Sequence, residues 1–201
     1  MSDHYFSADP SVAFKRVPVT VDVWGRRLRL TSGSGVFARG RLDTGTAVLF
    51  RQTHPPAPGR RTFLDLGCGY GVIAVALAEA VPEATVWAVD VNERALALTR
   101  DNAAAAGVES RLTATTPGGV PAAVRFDEIW SNPPIRIGKP ALHELLRTWL
   151  PRLVPGGRAV LVVGRNLGAD SLQRWLVEQG HPTTRVGSAK GFRVLEARRA
   201  P

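Results

Sequence analysis

The residues best suited to chemistry in this 201-residue chain lie in two short stretches. The first, Phe63 to Gly71, reads F-L-D-L-G-C-G-Y-G. Gly67, Gly69 and Gly71 fall at every second position, which strips side chains from a segment where the backbone must turn sharply and approach a ligand. Asp65 stands two residues before the first of them. A carboxylate there sits badly beside a pyrophosphate but suits a ligand carrying an ammonium group and a cationic sulfur. Asp90 follows roughly 20 residues on, the spacing at which open α/β folds hydrogen-bond both hydroxyls of a ribose. The second stretch is Ser131-Asn132-Pro133-Pro134. A residue before proline is pushed out of the α region, so Asn132 and Pro133 are both held extended. The Asn132 side-chain oxygen and the Pro133 carbonyl then face one point, and two acceptors together suit an NH₂ group. Holding those two hydrogens aims the amine lone pair, so transfer to nitrogen needs positioning more than acid–base chemistry. No His, Cys or metal-ligand constellation competes for the role. Read from residues alone, the glycine stretch also fits a dinucleotide oxidoreductase or a structural turn, and S-N-P-P a plain turn.

The surrounding pattern predicts the elements that hold these groups. Phe63, Leu64 and Leu66 make a buried strand, and Val72 to Val81 a helix stopped by Pro82. Thr85 to Val89 is a second buried strand ending at Asp90, and Asn92 caps a helix that Gly107 closes. Arg111 to Ala114 is a weak third strand, followed by a Gly/Pro-rich loop from Thr115 to Ala123. Arg125 to Trp130 is a fourth strand, so Asn132 sits at its carboxyl end, where open α/β sheets bind ligands. Lys139 to Leu153 is amphipathic, Pro155-Gly156-Gly157 a turn, and Arg158 to Val163 a strand. A helix from about Ala169 to Gln179 and a hairpin, Thr183 to Val186 with Phe192 to Ala197, complete the chain. Upstream, V-T-V-D-V-W, a turn at Gly25 and R-R-L-R-L-T predict a β-hairpin. Thr31 to Gly35 reads as a flexible loop, Asp43 as the N-cap of a short helix, and His54 to Gly59 as a linker. The fold class is therefore α/β: a Rossmann-like, seven-stranded, mostly parallel sheet with helices on both faces and a C-terminal β-hairpin. Residues 1–60 form an N-terminal extension and residues 61–201 the main domain.

Composition narrows the setting. No apolar run approaches the ~20 residues that span a bilayer, the first residues lack a signal-peptide pattern, and one cysteine permits no internal disulfide. A cytoplasmic protein with no membrane partner fits best. The net charge of +9 points to a polyanionic partner. Residues 1–61 hold 10 Lys and Arg against 4 Asp; a genomic bias toward arginine accounts for Arg over Lys but not for the scarcity of acids, so nucleic-acid contact falls to this region. Cys68 reads as a small residue tolerated in the loop, His143 as a helix surface or packing residue, and Trp87, Trp130 and Trp149 as core.

D-x-G-x-G-x-G followed by an acid at a strand end resembles the class I S-adenosylmethionine-dependent methyltransferases, and N-P-P after the fourth strand resembles their amino-methylating branches. Those act on adenine, on the exocyclic amine of guanine in ribosomal RNA, and on glutamine. Gly35-Val36-Phe37 with Leu42-Asp43-Thr44-Gly45-Thr46, and Asn132 to Lys139, are similar to guanine-N2 ribosomal RNA methyltransferases of the RsmC/RlmG type, the methyltransferase small domain, in its short single-domain form. The resemblance covers about Val17 to Arg198. It implies S-adenosylmethionine as cofactor, held by Phe37, Asp65, Gly67, Cys68, Gly69, Gly71, Asp90, Val91 and Asn132. It implies catalysis at Asn132, Pro133, Pro134 and Ile135. Arg136 and Lys139 flank the site mouth and hold either substrate phosphate or a backbone carbonyl, and Arg39 and Arg41 of the basic N-terminal region also fall to the substrate. The implied partner is ribosomal RNA or a ribosomal subunit. Two positions depart from the family pattern. Ile135 replaces an aromatic residue that stacks on a flipped base, a contact worth about 1–3 kcal/mol. Thr115 and Thr116 replace an acid that reads the cofactor adenine, so a hydroxyl or backbone group must serve there.

Overall fold

A computed structural model describes residues 15–34, 41–133 and 138–200. Nine strands and five helices follow in the order β1 (Arg16–Val23), β2 (Arg26–Gly33), α1 (Thr44–Gln52), β3 (Thr62–Leu66), α2 (Val72–Ala80), β4 (Thr85–Val89), α3 (Glu93–Ala105), β5 (Leu112–Thr115), β6 (Phe126–Ser131), α4 (Gly138–Trp149), β7 (Leu153–Gly164), α5 (Ala169–Glu178), β8 (Thr183–Ala189) and β9 (Phe192–Arg198) among these residues. β3 to β9 form one sheet in the order β5-β4-β3-β6-β7-β9-β8. β3 is parallel to both β4 and β6, which places the loop after β3 and the end of β6 at one edge, where the strand order reverses. β9 runs antiparallel to β7 and β8, closing the sheet with the expected hairpin.

The sheet is covered on both faces. On one, Phe63, Val86, Trp130 and Val160 join α1, α2 and α3 in a single apolar cluster. On the other, Leu64, Leu66, Ile129 and Leu161 pack with α4 and α5. α2 is buried all round, which explains its nearly continuous apolar sequence. No helix of the described residues is long and apolar enough to cross a membrane.

β1 and β2 make a separate two-stranded sheet whose Val19, Val21, Val23, Leu28 and Leu30 all point into the first cluster. Its turn is Trp24-Gly25, both with positive φ, the geometry of a tight hairpin turn. The Trp24 ring lies 5.2 Å from Phe50 and 5.5 Å from Trp130, and its indole N–H donates to the Thr53 carbonyl at 3.1 Å. Residues Thr31 to Gly33, expected as a loop, extend β2 instead. The reason lies 71 residues away. Asn102 of α3 accepts from the Thr31 N–H at 2.7 Å and donates to the Thr31 carbonyl at 2.9 Å, as a neighbouring strand would. Pro155-Gly156-Gly157, expected as a turn, is likewise absorbed into β7 beside a register shift against β6. A Cβ on Gly157 would meet the Val154 and Asp127 carbonyls at 2.8 and 3.0 Å, so close backbone approach is what the glycine serves. α4 stops at Trp149, before Pro151, and a 3-10 turn over Leu150–Arg152 carries the chain into β7.

One ionic cluster ties the sheet together. Glu128, 1% exposed, accepts from the Trp130 indole at 2.8 Å and pairs with Arg158 at 3.0 Å; Arg158 also reaches Glu196 at 2.8 Å. Arg158→Ala strands a buried carboxylate. It is expected to cost about 3–5 kcal/mol in denaturant unfolding while leaving ligand affinity of the folded protein unchanged.

Candidate active site

β3 and β4 end side by side, and the glycine loop is laced across that edge. The Gly67 and Cys68 amides donate to the Val89 carbonyl at 2.8 and 3.0 Å, and the Gly69 amide to Asp90 Oδ2 at 2.9 Å. Gly67, Gly69 and Gly71 have φ of 77°, 57° and 82°, the left-handed region that other residues enter at a cost. Gly71 is further constrained, since a Cβ there would lie 2.7 Å from Thr99 Cγ2. Thr99 in turn donates to the Gly69 carbonyl at 3.1 Å, and Asn102 to the Tyr70 carbonyl at 2.7 Å. α3 thus braces the loop from behind. The Cys68 thiol is pushed well up by burial and by the Asp65 and Asp90 carboxylates, so it stays a neutral thiol inside the loop.

Asp65 is fully buried. Its Oδ2 accepts from the Ala74 amide at 2.9 Å in the first turn of α2. Its Oδ1 has no hydrogen-bond partner among the described residues. Burial raises the carboxyl to about 8 against the opposing Ala74 hydrogen bond, with the Asp90 charge adding to the rise. A buried acid kept neutral in this way becomes a favourable anion once a cationic group arrives. Asp90 is also raised, chiefly by burial, against hydrogen bonds from the Asn92, Gly69 and Val91 amides. Oδ1 accepts from the Asn92 amide and Oδ2 from the Gly69 amide, both at 2.9 Å, and the carboxylate keeps acceptor capacity for a hydroxyl. Beside it Val91 is 51% exposed, an apolar surface for a flat ring.

The second buried polar atom without a partner is the Tyr70 hydroxyl. Burial, with the Asp43 charge adding to it, raises its pKa, so it stays a donor. One orphan carboxylate oxygen in β3 and one orphan hydroxyl donor in the loop that follows it fit an α-amino acid zwitterion, the end group of S-adenosylmethionine. Tyr70 escaped the reading of the sequence because x in G-x-G has no fixed chemistry. Tyr70→Phe removes a buried group that has no partner among the described residues. It is therefore expected to leave thermal stability unchanged or raised while weakening cofactor binding by roughly tenfold in calorimetry.

Asn132 lies just past β6, half-buried, with Pro133 buried behind it. Its Nδ2 donates to Asp43 Oδ2 at 2.6 Å and to Thr46 Oγ1 at 3.0 Å. Only the amide nitrogen can donate, so the chemistry of these partners fixes the flip, and Oδ1 is turned away from them. Ser131 donates to the Leu66 carbonyl at 2.6 Å, locking this end of β6 to the strand that carries Asp65. The structure therefore brings Asp65, Gly67, Cys68, Gly69, Gly71, Asp90, Val91, Asn132 and Pro133 to one edge of the sheet. Lys139 is exposed at the start of α4, with its Cε 3.0 Å from where a Gly168 Cβ would be. Arg41 is exposed ahead of α1. Phe37, Arg39, Pro134, Ile135 and Arg136 lie outside the described residues. On the hairpin, Arg26, Arg27 and Arg29 face solvent, Arg27 with an exposed pairing to Asp22 at 2.8 Å. His143 stacks on Trp175 at 3.9 Å, a packing contact between α4 and α5.

A family model described as methyltransferase small domain matches residues 27–196. "Uncharacterized protein YbxB" of Bacillus subtilis (strain 168) is 32% identical over 206 residues, spanning 99% of this chain and 100% of that protein. "Ribosomal RNA small subunit methyltransferase C" of Ectopseudomonas mendocina (strain ymp) is 37% identical over 177 residues, 86% of this chain and 51% of that protein. The chain thus spans about half the length of that relative. Among solved structures, the 16S rRNA N2 methyltransferase RsmC of T. thermophilus, in complex with AdoMet and guanosine, superposes with a TM-score of 0.75. At 22% identity over 92% of this chain and 50% of that one, the match shows a common fold.

Proposed function

Since the chain belongs to the methyltransferase small domain family, whose cofactor is S-adenosylmethionine, we propose that it methylates an exocyclic amine, the N2 of a guanine in ribosomal RNA. The observation that carries this reading is the Asn132 amide, whose nitrogen is held by Asp43 and Thr46 so that its oxygen is left to accept. An acceptor at this edge takes a hydrogen from an NH₂ group and aims the nitrogen lone pair. The cofactor supplies an electrophilic methyl group on a sulfonium. Asp65 and the Tyr70 hydroxyl bind its amino-acid end, Asp90 its ribose, and Val91 packs on its adenine. Asn132 is neither acid nor base, so it acts by binding and orienting the amine, and the proton that the nitrogen sheds after methylation passes to solvent. The exposed arginines of β2, with Arg41 and Lys139, hold the phosphates of an RNA working in the cytoplasm. Ribosomal RNA is preferred among amine substrates because curated relatives are named as methyltransferases of the small-subunit RNA.

The test is a tritiated-methyl transfer assay with the purified protein, offered total RNA, ribosomal subunits, DNA and protein extract, with labelled RNA digested to nucleosides. Label in N2-methylguanosine is the expected result. Label in N6-methyladenosine or in protein glutamine overturns the substrate and keeps the chemistry. S-adenosylmethionine binding without transfer to any of the four overturns the enzyme in favour of an RNA-binding module.

A further inference from the structure

Asp43 was expected only as the N-cap of α1, and it does that, accepting from the Thr46 amide at 3.1 Å. The same oxygen, Oδ2, is also the nearer acceptor for Asn132 Nδ2, at 2.6 Å and 89 residues away in sequence. Thr46, three residues on, supplies the second acceptor from its hydroxyl. Between them is Gly45, buried in the first turn of a helix, where glycine is a poor helix former. Its position has a physical reason. A Cβ there would come 2.9 Å from Asp43 Oδ2, 3.2 Å from Asn132 Nδ2 and 3.0 Å from the Phe192 ring. The D-x-G-T segment is therefore shaped around the Asn132 amide as much as around its own helix.

We propose that Asp43 is a positioning residue for Asn132: its carboxylate, fixed at the start of α1 and supported by Thr46, sets the rotation of the amide so that Oδ1 faces the incoming amine. A hydrogen bond from Nδ2 to a carboxylate also draws electron density through the amide toward Oδ1, making it the stronger acceptor. The neutral amide and the charged carboxylate divide the work. Asn132 meets the substrate, and Asp43 acts through it without touching the reacting nitrogen. The role in turnover rests on the reading under Proposed function.

Asp43→Ser separates this role from capping, because serine caps a helix as well as aspartate but is too short to reach Asn132. The variant is expected to keep its thermal midpoint and S-adenosylmethionine affinity while kcat falls by roughly 10²-fold, as misplacement of a reacting group costs. Asp43→Asn, which keeps an oxygen in place, is expected to recover part of that loss. In an Asn132→Ala background Asp43→Ser should change kcat no further. Unchanged kcat in Asp43→Ser, or an equal further loss in the double variant, overturns the proposal. The Asn132 side-chain amide signal in ¹⁵N–¹H NMR gives an arm independent of catalysis. In the wild type the proton on Asp43 is expected downfield, shifted by the carboxylate, and Asp43→Ser should move it toward the free-amide position while the proton on Thr46 Oγ1 changes less. A signal that does not respond overturns the proposal even where turnover is seen. A responsive signal in a wild type that transfers no methyl group upholds the positioning and overturns the reading under Proposed function instead.

Discussion

Replacing Asn132 with alanine is expected to lower kcat by roughly 10²- to 10³-fold, the size of effect that follows loss of one preorganised polar group at a reacting centre. Its side chain is the only one at the end of β6 with an oriented acceptor and a fixed flip among the described residues. Asparagine contributes by orienting an amine, so its loss falls on kcat and kcat/KM alike, while S-adenosylmethionine affinity stays within about threefold of wild type. The fold should survive. The two hydrogen bonds that Asn132 makes to Asp43 and Thr46 are only half-buried, and Asp43 retains its capping bond to Thr46. Single-turnover measurements with saturating cofactor read the chemical step directly. Turnover within about threefold of wild type would remove Asn132 from the reaction and leave the edge of the sheet as a binding surface.

Asp65→Asn should produce the opposite pair of effects, greater stability and weaker binding. In the folded protein without ligand the carboxyl titrates near 8, against 3.8 for the ordinary group. Between those two values the native state holds a proton that the unfolded chain has released, so raising the pH favours unfolding. The stability of the ligand-free wild type is therefore expected to fall as pH rises from about 4 to 8 and to level off above 8. Asp65→Asn removes its share of that slope and leaves the part that comes from Asp90, which burial also raises. At pH 7 the ionisation penalty removed is about 4 kcal/mol, offset in part by burying an amide NH₂ where Oδ1 stood, so Tm should rise by several degrees. S-adenosylmethionine binding should weaken by roughly 10²-fold or more, because the variant offers the ligand ammonium no charge in a buried site. In the wild type, binding at pH 7 should release a proton as Asp65 ionises, visible as a buffer-dependent heat in calorimetry. Affinity should tighten as pH rises from 6 toward 8. Stability and affinity that both fall in Asp65→Asn would mean that the carboxylate serves the fold and not the ligand.

Several features were legible in the sequence because their causes are local. Phe63-Leu64-Asp65-Leu66 alternates between the two core clusters as a central strand must, and Gly67, Gly69 and Gly71 make the sharp turn their spacing suggested, each at positive φ. Asp43 and Asn92 cap their helices as expected, since a cap reads only the next three residues. The features that were missed depend on distant partners. Thr31 to Gly33 looked like a loop by composition, yet Asn102 supplies the hydrogen bonds of an adjoining strand. Pro155-Gly156-Gly157 carries turn residues, yet the neighbouring strand recruits it into β7.

What the sequence determined by itself is the chemistry on offer: an acid ahead of a glycine loop, a second acid after the next strand, and an amide locked extended by proline. Each of these is set by residue type and by backbone preference within a few positions. What only the tertiary structure decided is the state in which those groups are presented. Burial under α2 keeps Asp65 neutral with one oxygen unpartnered. The packing of α1 against the end of β6 brings Asp43 to 2.6 Å from Asn132 and so decides which way its amide faces. Desolvation and hydrogen-bond direction are properties of the assembled environment, and no local pattern along the chain encodes them.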